Sequence, residues 1–460
     1  MDVGADSTLF RSYDAEEFLE TPSWRHLRTI IATGNGGVYG LYGPRGSGKS
    51  WLMHRAITEA SRAGGTGLWF PCPSGYEPTA FLSMLASTLA SQVEARARSL
   101  PGLLASGKPA ELRAGRRKIR GLARQAAGLR EQARFATTSL KRSSQASLSA
   151  SYHGTAGISR SRERDLAERD PTVASLVFDF RRFAASAAEV FRPLVIAIDE
   201  LDKIDAPGTV RALLRDIKGI FEIPDVYFLV SVSDEAAAAL RLGALRGRDE
   251  FNSSFYTMLE MDPMTPSDAS RLAGKRGSPL TGEQARLLCL LSAGNWREGV
   301  RLAEEWRTSG EADVSVLARQ CLAKEAAALL REIVRAGGLA DDPGDAVGTV
   351  LAAAWKALPA DSFTAGGPFD ELSRYVIRDH WDLLSSRHWP DSPAEAWRRY
   401  LIRLFVAGRV AAGNALPDPR EVADLRDVLV QAGLSAEVAR LMLQDRFGRE
   451  LDGPYSRPPG

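Results

Sequence analysis

The residues from Gly43 to Ser50, GPRGSGKS, keep the spacing G-x-x-x-x-G-K-[ST]. That spacing carries phosphate chemistry. Its glycines let successive backbone N–H groups turn inward around phosphate oxygens, and a helix starting at the lysine adds its positive dipole end. Lys49 is placed to reach the β- and γ-phosphates of a nucleoside triphosphate, and the Ser50 hydroxyl to hold Mg2+. Gly43, Pro44, Arg45, Gly46, Ser47, Gly48, Lys49, Ser50 and Trp51 are therefore the candidate nucleotide contacts. A glycine turn that merely caps a helix is the competing reading. It explains neither the full set of fixed positions nor the flanks. Val38-Tyr39-Gly40-Leu41-Tyr42 reads as a buried strand in front, and Trp51 to Ile57 has apolar residues at helical spacing behind.

Such a loop needs an acid supplied by the end of a neighbouring parallel strand. Leu194-Val195-Ile196-Ala197-Ile198 reads as a strand buried on both faces, and it ends in Asp199-Glu200. Asp199 is the candidate metal residue opposite Ser50, acting mostly through water. Glu200 is the candidate that orients or deprotonates the attacking water. An Asp-Glu pair also serves as a helix N-cap. The apolar run before it and the phosphate loop upstream favour the metal site. Asp202 reads as solvent-facing or as a cap.

The elements that must position these residues are those of a parallel α/β sheet. Further strands are expected at Gly67–Cys72, Val226–Ser233 and Phe255–Met261, with helices between. Lys49 and Asp199 lie 150 positions apart, whereas a βαβ unit takes roughly 30 residues or more. The excess is an insertion. Between Arg96 and Arg142 there are 13 Lys or Arg against two Glu. Leu112, Gly115, Ile119, Leu122, Ala126, Leu129, Ala133, Ala136 and Leu140 recur there in heptad-like steps, which fits a helical hairpin or an arm lying on another surface. Ser143–Arg164 reads as either a two-stranded hairpin or a disordered stretch.

The expected organisation is a lead-in over 1–36, an ATPase-type core over 37–95 and 171–262, the basic insertion over 96–170, a helical lid over 263–310, an all-α C-terminal domain over 311–452 and a tail over 453–460. The apolar face of the lead-in (Tyr13, Phe18, Leu19, Trp24, Leu27, Ile30, Ile31) fits either a cover for a bound base or a cap on the sheet edge. Trp355, Phe369, Tyr375, Trp381, Trp397 and Phe405 are among the residues expected to fill the C-terminal core.

The composition narrows the classes. The chain has 460 residues, 44% hydrophobic and 25% charged, with a net charge of +2. The molecule as a whole is not a strong polyanion binder, so any nucleic-acid contact must be local, through Arg96–Arg142. Cys72, Cys289 and Cys321 show no metal-ligand spacing and point to a reducing compartment. No apolar run approaches a membrane span, and Met1–Asp6 lacks a basic-then-apolar leader. These features predict a cytoplasmic protein without membrane contact.

Gly43–Ser50 together with Leu194–Lys203, LVIAIDELDK, resembles the AAA+ and STAND group of P-loop ATPases, and within it the bacterial replication-initiator-like and KAP-like ATPases. The resemblance implies ATP and Mg2+ as cofactors. It implies a sensor-1 strand at Val226–Ser233, with Ser233, or Ser231, facing the γ-phosphate or attacking water. Asn is common at that position. Gly294-Asn295-Trp296-Arg297 is similar to the lid element G-N-P-R, with Trp296 in place of Pro, and Arg297 then acts as sensor 2. Arg246 and Arg248 lie where an arginine finger can enter a neighbouring subunit, and each is equally readable as a solvated arginine. The implied protein is a nucleotide-driven oligomeric switch in signalling or bacterial conflict response, docking a protein partner through its C-terminal helices. The alternatives are a DNA-binding loader or motor using the basic arm, which carries Phe135 as its sole aromatic, and a small-molecule kinase, for which a compact acceptor site is needed.

Overall fold

A computed structural model describes residues 19–72, 77–99, 117–130, 172–201, 218–221, 223–232, 255–277, 279–310 and 419–451, with isolated helical positions elsewhere. Ser233, Arg246, Arg248, Asp202, the Ser143–Arg164 segment and the expected C-terminal aromatic core lie outside the described residues. The chain falls into two units. One is Glu20–Asp262, and the other holds the residues from Pro263 onward.

The first unit opens with α1 (Pro22–Thr33), whose N-terminus is capped by Thr21 accepting from the Trp24 N–H. It buries Trp24 and Leu27. Five strands follow: β1 (Gly37–Tyr42), β2 (Thr66–Pro71), β3 (Leu194–Asp199), β4 (Val226–Val232) and β5 (Thr257–Glu260). They form one sheet in the order β2-β3-β4-β1-β5, and every pairing is parallel. The strands are separated in sequence by α2 (Lys49–Arg62), α3 (Pro78–Ser99), α4 over 117–130 and α5 (Val173–Val190). This is the parallel α/β architecture expected from the alternating strand and helix patterns.

Helices cover both faces, which is why β3 and β4 are apolar at nearly every position. Alternation assigns the faces. Leu194, Ile196 and Ile198 of β3, with Val226, Phe228, Val230 and Val232 of β4, point into a core completed by Phe81, Leu85 and Leu89 of α3 and Phe180 and Phe183 of α5. α2 packs against β2, β3 and β4, burying Leu52, Met53, Ala56 and Ala60.

The heptad-like run falls partly within the described residues. Leu122, Ala126 and Leu129 of α4 are buried in that same core, with Ile119 packed against it. Arg130 pairs with Glu94 of α3 at 2.7 Å, and Lys118 with Glu189 of α5 at 3.9 Å. The spacing of three and four thus marks a helix docked on the domain over this stretch. α3 itself runs past Arg96 to Ser99, burying Ala97. The change in charge at Arg96 therefore falls inside a core helix.

The second unit contains α6 (Pro266–Lys275), α7 (Gly282–Leu291) and α8 (Trp296–Ser309). Reciprocal capping boxes start the first two, Thr265 with Asp268 and Thr281 with Gln284. A C-terminal pair, α9 (Pro419–Leu434) and α10 (Ala436–Leu451), packs on itself and against α7. Among the described residues no helix is long and apolar enough to cross a membrane.

Candidate nucleotide site

The parallel sheet puts the C-terminal ends of β1 and β3 on one edge. Between them lies β4, paired on one side as Tyr42↔Val232 and on the other as Ile198↔Val230. Two strand spacings, about 9–10 Å, therefore separate the start of the phosphate loop from Asp199.

The loop leaves β1 at Tyr42. Gly43, Gly46 and Gly48 have φ of 153°, 86° and 95°, conformations that an L side chain rarely adopts. At Gly43 a Cβ would stand 2.9 Å from Ser47 Oγ and 3.0 Å from Met261 Cβ. The turn is closed by the Ser47 N–H donating to Pro44 O at 3.1 Å. α2 then begins at Lys49 with Gly48 as its N-cap, so no side chain supplies the capping bond. A helix N-terminus opened by a glycine in this way is suited to an anion.

Two observations test whether this loop fits a triphosphate. Ser47 is 5% exposed, and its Oγ meets no hydrogen-bond partner among the described residues. Lys49 Nζ donates to the carbonyls of Gly43 at 2.5 Å and Pro44 at 3.1 Å. Those are loop acceptors that phosphate oxygens would replace. An unsatisfied hydroxyl, an ammonium turned into the loop and three glycines in left-handed backbone together fit a phosphate group.

Asp199 is the last residue of β3 and is 3% exposed. Its Oδ1 accepts the Glu200 N–H at 2.9 Å, and its Oδ2 accepts the Trp69 indole N–H at 3.3 Å. Glu200 is half-buried, with φ of 61°. Its N–H also donates to Ser231 Oγ on β4 at 2.8 Å, and Ser231 is buried. The left-handed turn at Glu200 is thus fastened to two strands at once. Buried Asp199 supplies a hard oxygen donor suited to Mg2+, as does Ser50 at the start of α2.

Sequence reasoning missed two further residues at this edge. Trp69 on β2 reaches Asp199 on the adjacent strand. His54 on α2, one turn beyond Ser50, lies with its ring 5.1 Å from the Trp69 ring. Burial lowers the His54 imidazole, against an opposing pull from Asp199. Helical spacing from Ser50 to His54 was available as a signal; the indole contact was not, because it depends on strand order.

β5 closes the other flank. The Met261 N–H donates to Tyr42 O at 2.9 Å, and the next residue, Asp262, accepts the Ser23 N–H on Oδ2 at 2.6 Å.

Arg297 belongs to the second unit. Gly294, with φ of 71°, and Asn295 form the turn before α8. Asn295 Oδ1 accepts the Glu298 N–H at 3.1 Å, so it is the N-cap and Trp296 takes the first helical position. The Gly294 carbonyl accepts the Met264 N–H at 2.7 Å. Arg297 is exposed on the first turn of α8.

A parallel sheet with a glycine phosphate loop after its β1 strand and an acidic pair two strands away defines a P-loop nucleoside triphosphatase. Residues 24–219 match the family described as the AAA ATPase domain. Over those residues the chain carries an AAA ATPase domain. No curated protein matches it. Among solved structures, a Walker-type ATPase of Pyrococcus abyssi aligns over 90% of this chain and 97% of its own, at 11% identity and a TM-score of 0.39. The ORC1 protein of Aeropyrum pernix, solved in complex with DNA, aligns over 95% of both chains at 13% identity and a TM-score of 0.35. The ORC2 protein of the same organism, in ADPNP–ADP complexes, covers 89% of this chain and 92% of its own at 14% identity and a TM-score of 0.32.

Proposed function

We propose that the chain hydrolyses ATP with Mg2+ and uses the nucleotide state to switch its assembly and its hold on a partner. The observation that carries the hydrolytic part is the arrangement at the end of β3. Asp199 is buried with both oxygens held, and Glu200 follows it in a turn bonded to Ser231. In this reading the loop from Gly43 to Trp51 binds the phosphates and Lys49 neutralises their charge. Ser50 and Asp199 would hold Mg2+, which would supply charge neutralisation for the phosphate oxygens. Glu200 orients the attacking water and takes its proton. Ser231 keeps the Glu200 backbone in place, and Ser233 remains the proposed γ-phosphate contact.

Arg297 is proposed to read the nucleotide from the 263–310 region, and Arg246 or Arg248 to act on a neighbouring subunit. The partner-docking part is assigned to the C-terminal helices, and the protein is assigned to the cytoplasm. The test is Glu200→Gln. It keeps ATP binding, abolishes turnover and gives a larger particle by light scattering with ATP than wild type with ADP. Unchanged turnover removes Glu200 from its role, and a monomer in every nucleotide state removes the oligomeric switch.

A second reading, DNA binding, is favoured by one observation. α4 buries Leu122, Ala126 and Leu129 while Arg117, Lys118, Arg120 and Arg124 are exposed. The docked helix thus presents fixed cations. If they meet phosphates, duplex affinity falls steeply with salt, and removing them flattens that slope by roughly one unit per contact. Equal slopes in the wild type and in a protein with all four cations replaced reject this reading.

A further inference from the structure

We propose that Trp69 is a positioning residue for the metal: its indole N–H fixes the Asp199 carboxylate in the orientation that receives Mg2+, and its ring ties that carboxylate to the helix bearing Ser50. The inference rests on the ATPase reading of the site and deepens it.

An aspartate χ2 is a broad torsion with little intrinsic preference. A carboxylate that holds a hydrated ion through water needs that torsion fixed, because the lone pairs must face the ion's water shell. Asp199 has a donor on each oxygen. The Glu200 N–H holds Oδ1 at 2.9 Å, a contact that the backbone turn supplies whatever the side chains are. The donor on Oδ2 is a side chain, Trp69 Nε1 at 3.3 Å.

Trp69 comes from β2, where it is paired with Ala197, two residues before Asp199 on the adjacent strand. Its ring lies 5.1 Å from that of His54 on α2, at an interplanar angle of 35°. His54 follows Ser50 by one helical turn, so the two share a face of α2. The indole therefore joins the two elements that carry the proposed metal residues. A tryptophan that only covered the sheet would not need its N–H aimed at the most buried acid of the site. Loss of a hydrogen-bond partner that orients a metal-binding carboxylate typically costs roughly 10–100-fold in metal affinity or activity.

The test separates metal from nucleotide. In Trp69→Phe the ring still packs on His54 and the donor is gone. ATP affinity measured by calorimetry in EDTA stays within about twofold of wild type. The Mg2+ concentration for half-maximal formation of the metal complex, titrated into the ATP-bound protein, rises at least about tenfold. Should Trp69→Phe fold poorly, 3-benzothienylalanine at position 69, which keeps the bicyclic ring and lacks the N–H, carries the same measurement. A Mg2+ half-saturation within twofold of wild type overturns the proposal. So does an equal loss of ATP binding with and without metal, which marks a general structural role. Failure of the wild type itself to bind ATP in a Mg2+-dependent way overturns the underlying reading of the site, and that is seen before any variant is made.

Discussion

The backbone N–H of Glu200 donates to Ser231 Oγ at 2.8 Å, a bond from the turn after β3 to the interior of β4. A residue with φ of 61° and no glycine freedom costs on the order of 1 kcal/mol or more, and this bond helps hold it there. Ser231→Ala removes the acceptor while Asp199 Oδ1 remains. We expect about 1 kcal/mol of lost stability in chemical denaturation, ATP affinity close to wild type, and turnover lower by about tenfold as Glu200 loses its fixed direction. Wild-type turnover would show that the bond serves only the fold.

Gly43 admits no side chain. Its φ of 153° is strained for an L residue, and the added Cβ would press on Ser47 Oγ and Met261 Cβ. Gly43→Ala is expected to weaken ATP binding at least about tenfold and to lower the melting temperature of the ligand-free protein. Calorimetry and thermal denaturation read the two effects separately.

In the second unit a Cβ on Gly294 would stand 2.9 Å from Pro263 Cβ and 3.4 Å from Arg426 Cδ, at φ of 71°. Gly294→Ala should destabilise that unit by about 1–3 kcal/mol. Arg297→Ala, on the exposed side of the same turn, should leave the melting temperature unchanged while slowing turnover. A stability loss at Arg297 equal to that at Gly294 would mark it as structural.

Burial pushes the Cys289 thiol up to about 11, and its S–H donates to Met264 O at 2.9 Å. A raised value in the folded state favours the protonated thiol. Its contribution to stability is therefore complete below the ordinary thiol range and is lost as pH climbs towards about 11. At pH near 8 the thiolate is scarce. Alkylation of Cys289 in the native protein, followed by mass spectrometry, should be at least about 100-fold slower than in the unfolded chain. Comparable rates would place the thiol in solvent.

The phosphate loop and the Asp199-Glu200 pair were legible because each is a local string set against a strand. The parallel sheet followed from apolar runs alternating with helical spacing. Trp69 was not legible as a partner of Asp199. That pairing depends on β2 lying beside β3, 130 positions away, and no local pattern encodes strand neighbours. The run from Leu112 to Leu140 had the period of a helix seam, and the period is the same whether the seam faces another long helix or a sheet-backed core. Leu122, Ala126 and Leu129 chose the core. Ser231 and Ser233 share a strand parity, so alternation alone could not choose between them; Ser231 bonds the Glu200 backbone, and Ser233 lies outside the described residues.

The Met261 N–H donates to Tyr42 O, just before the first glycine of the phosphate loop, and Asp262, the next residue, is bonded to the start of α1. The end of β5 and the start of α1 are therefore anchored beside the loop that begins at Gly43, so a side chain added there is felt first at Met261 and through it at Asp262 and Ser23.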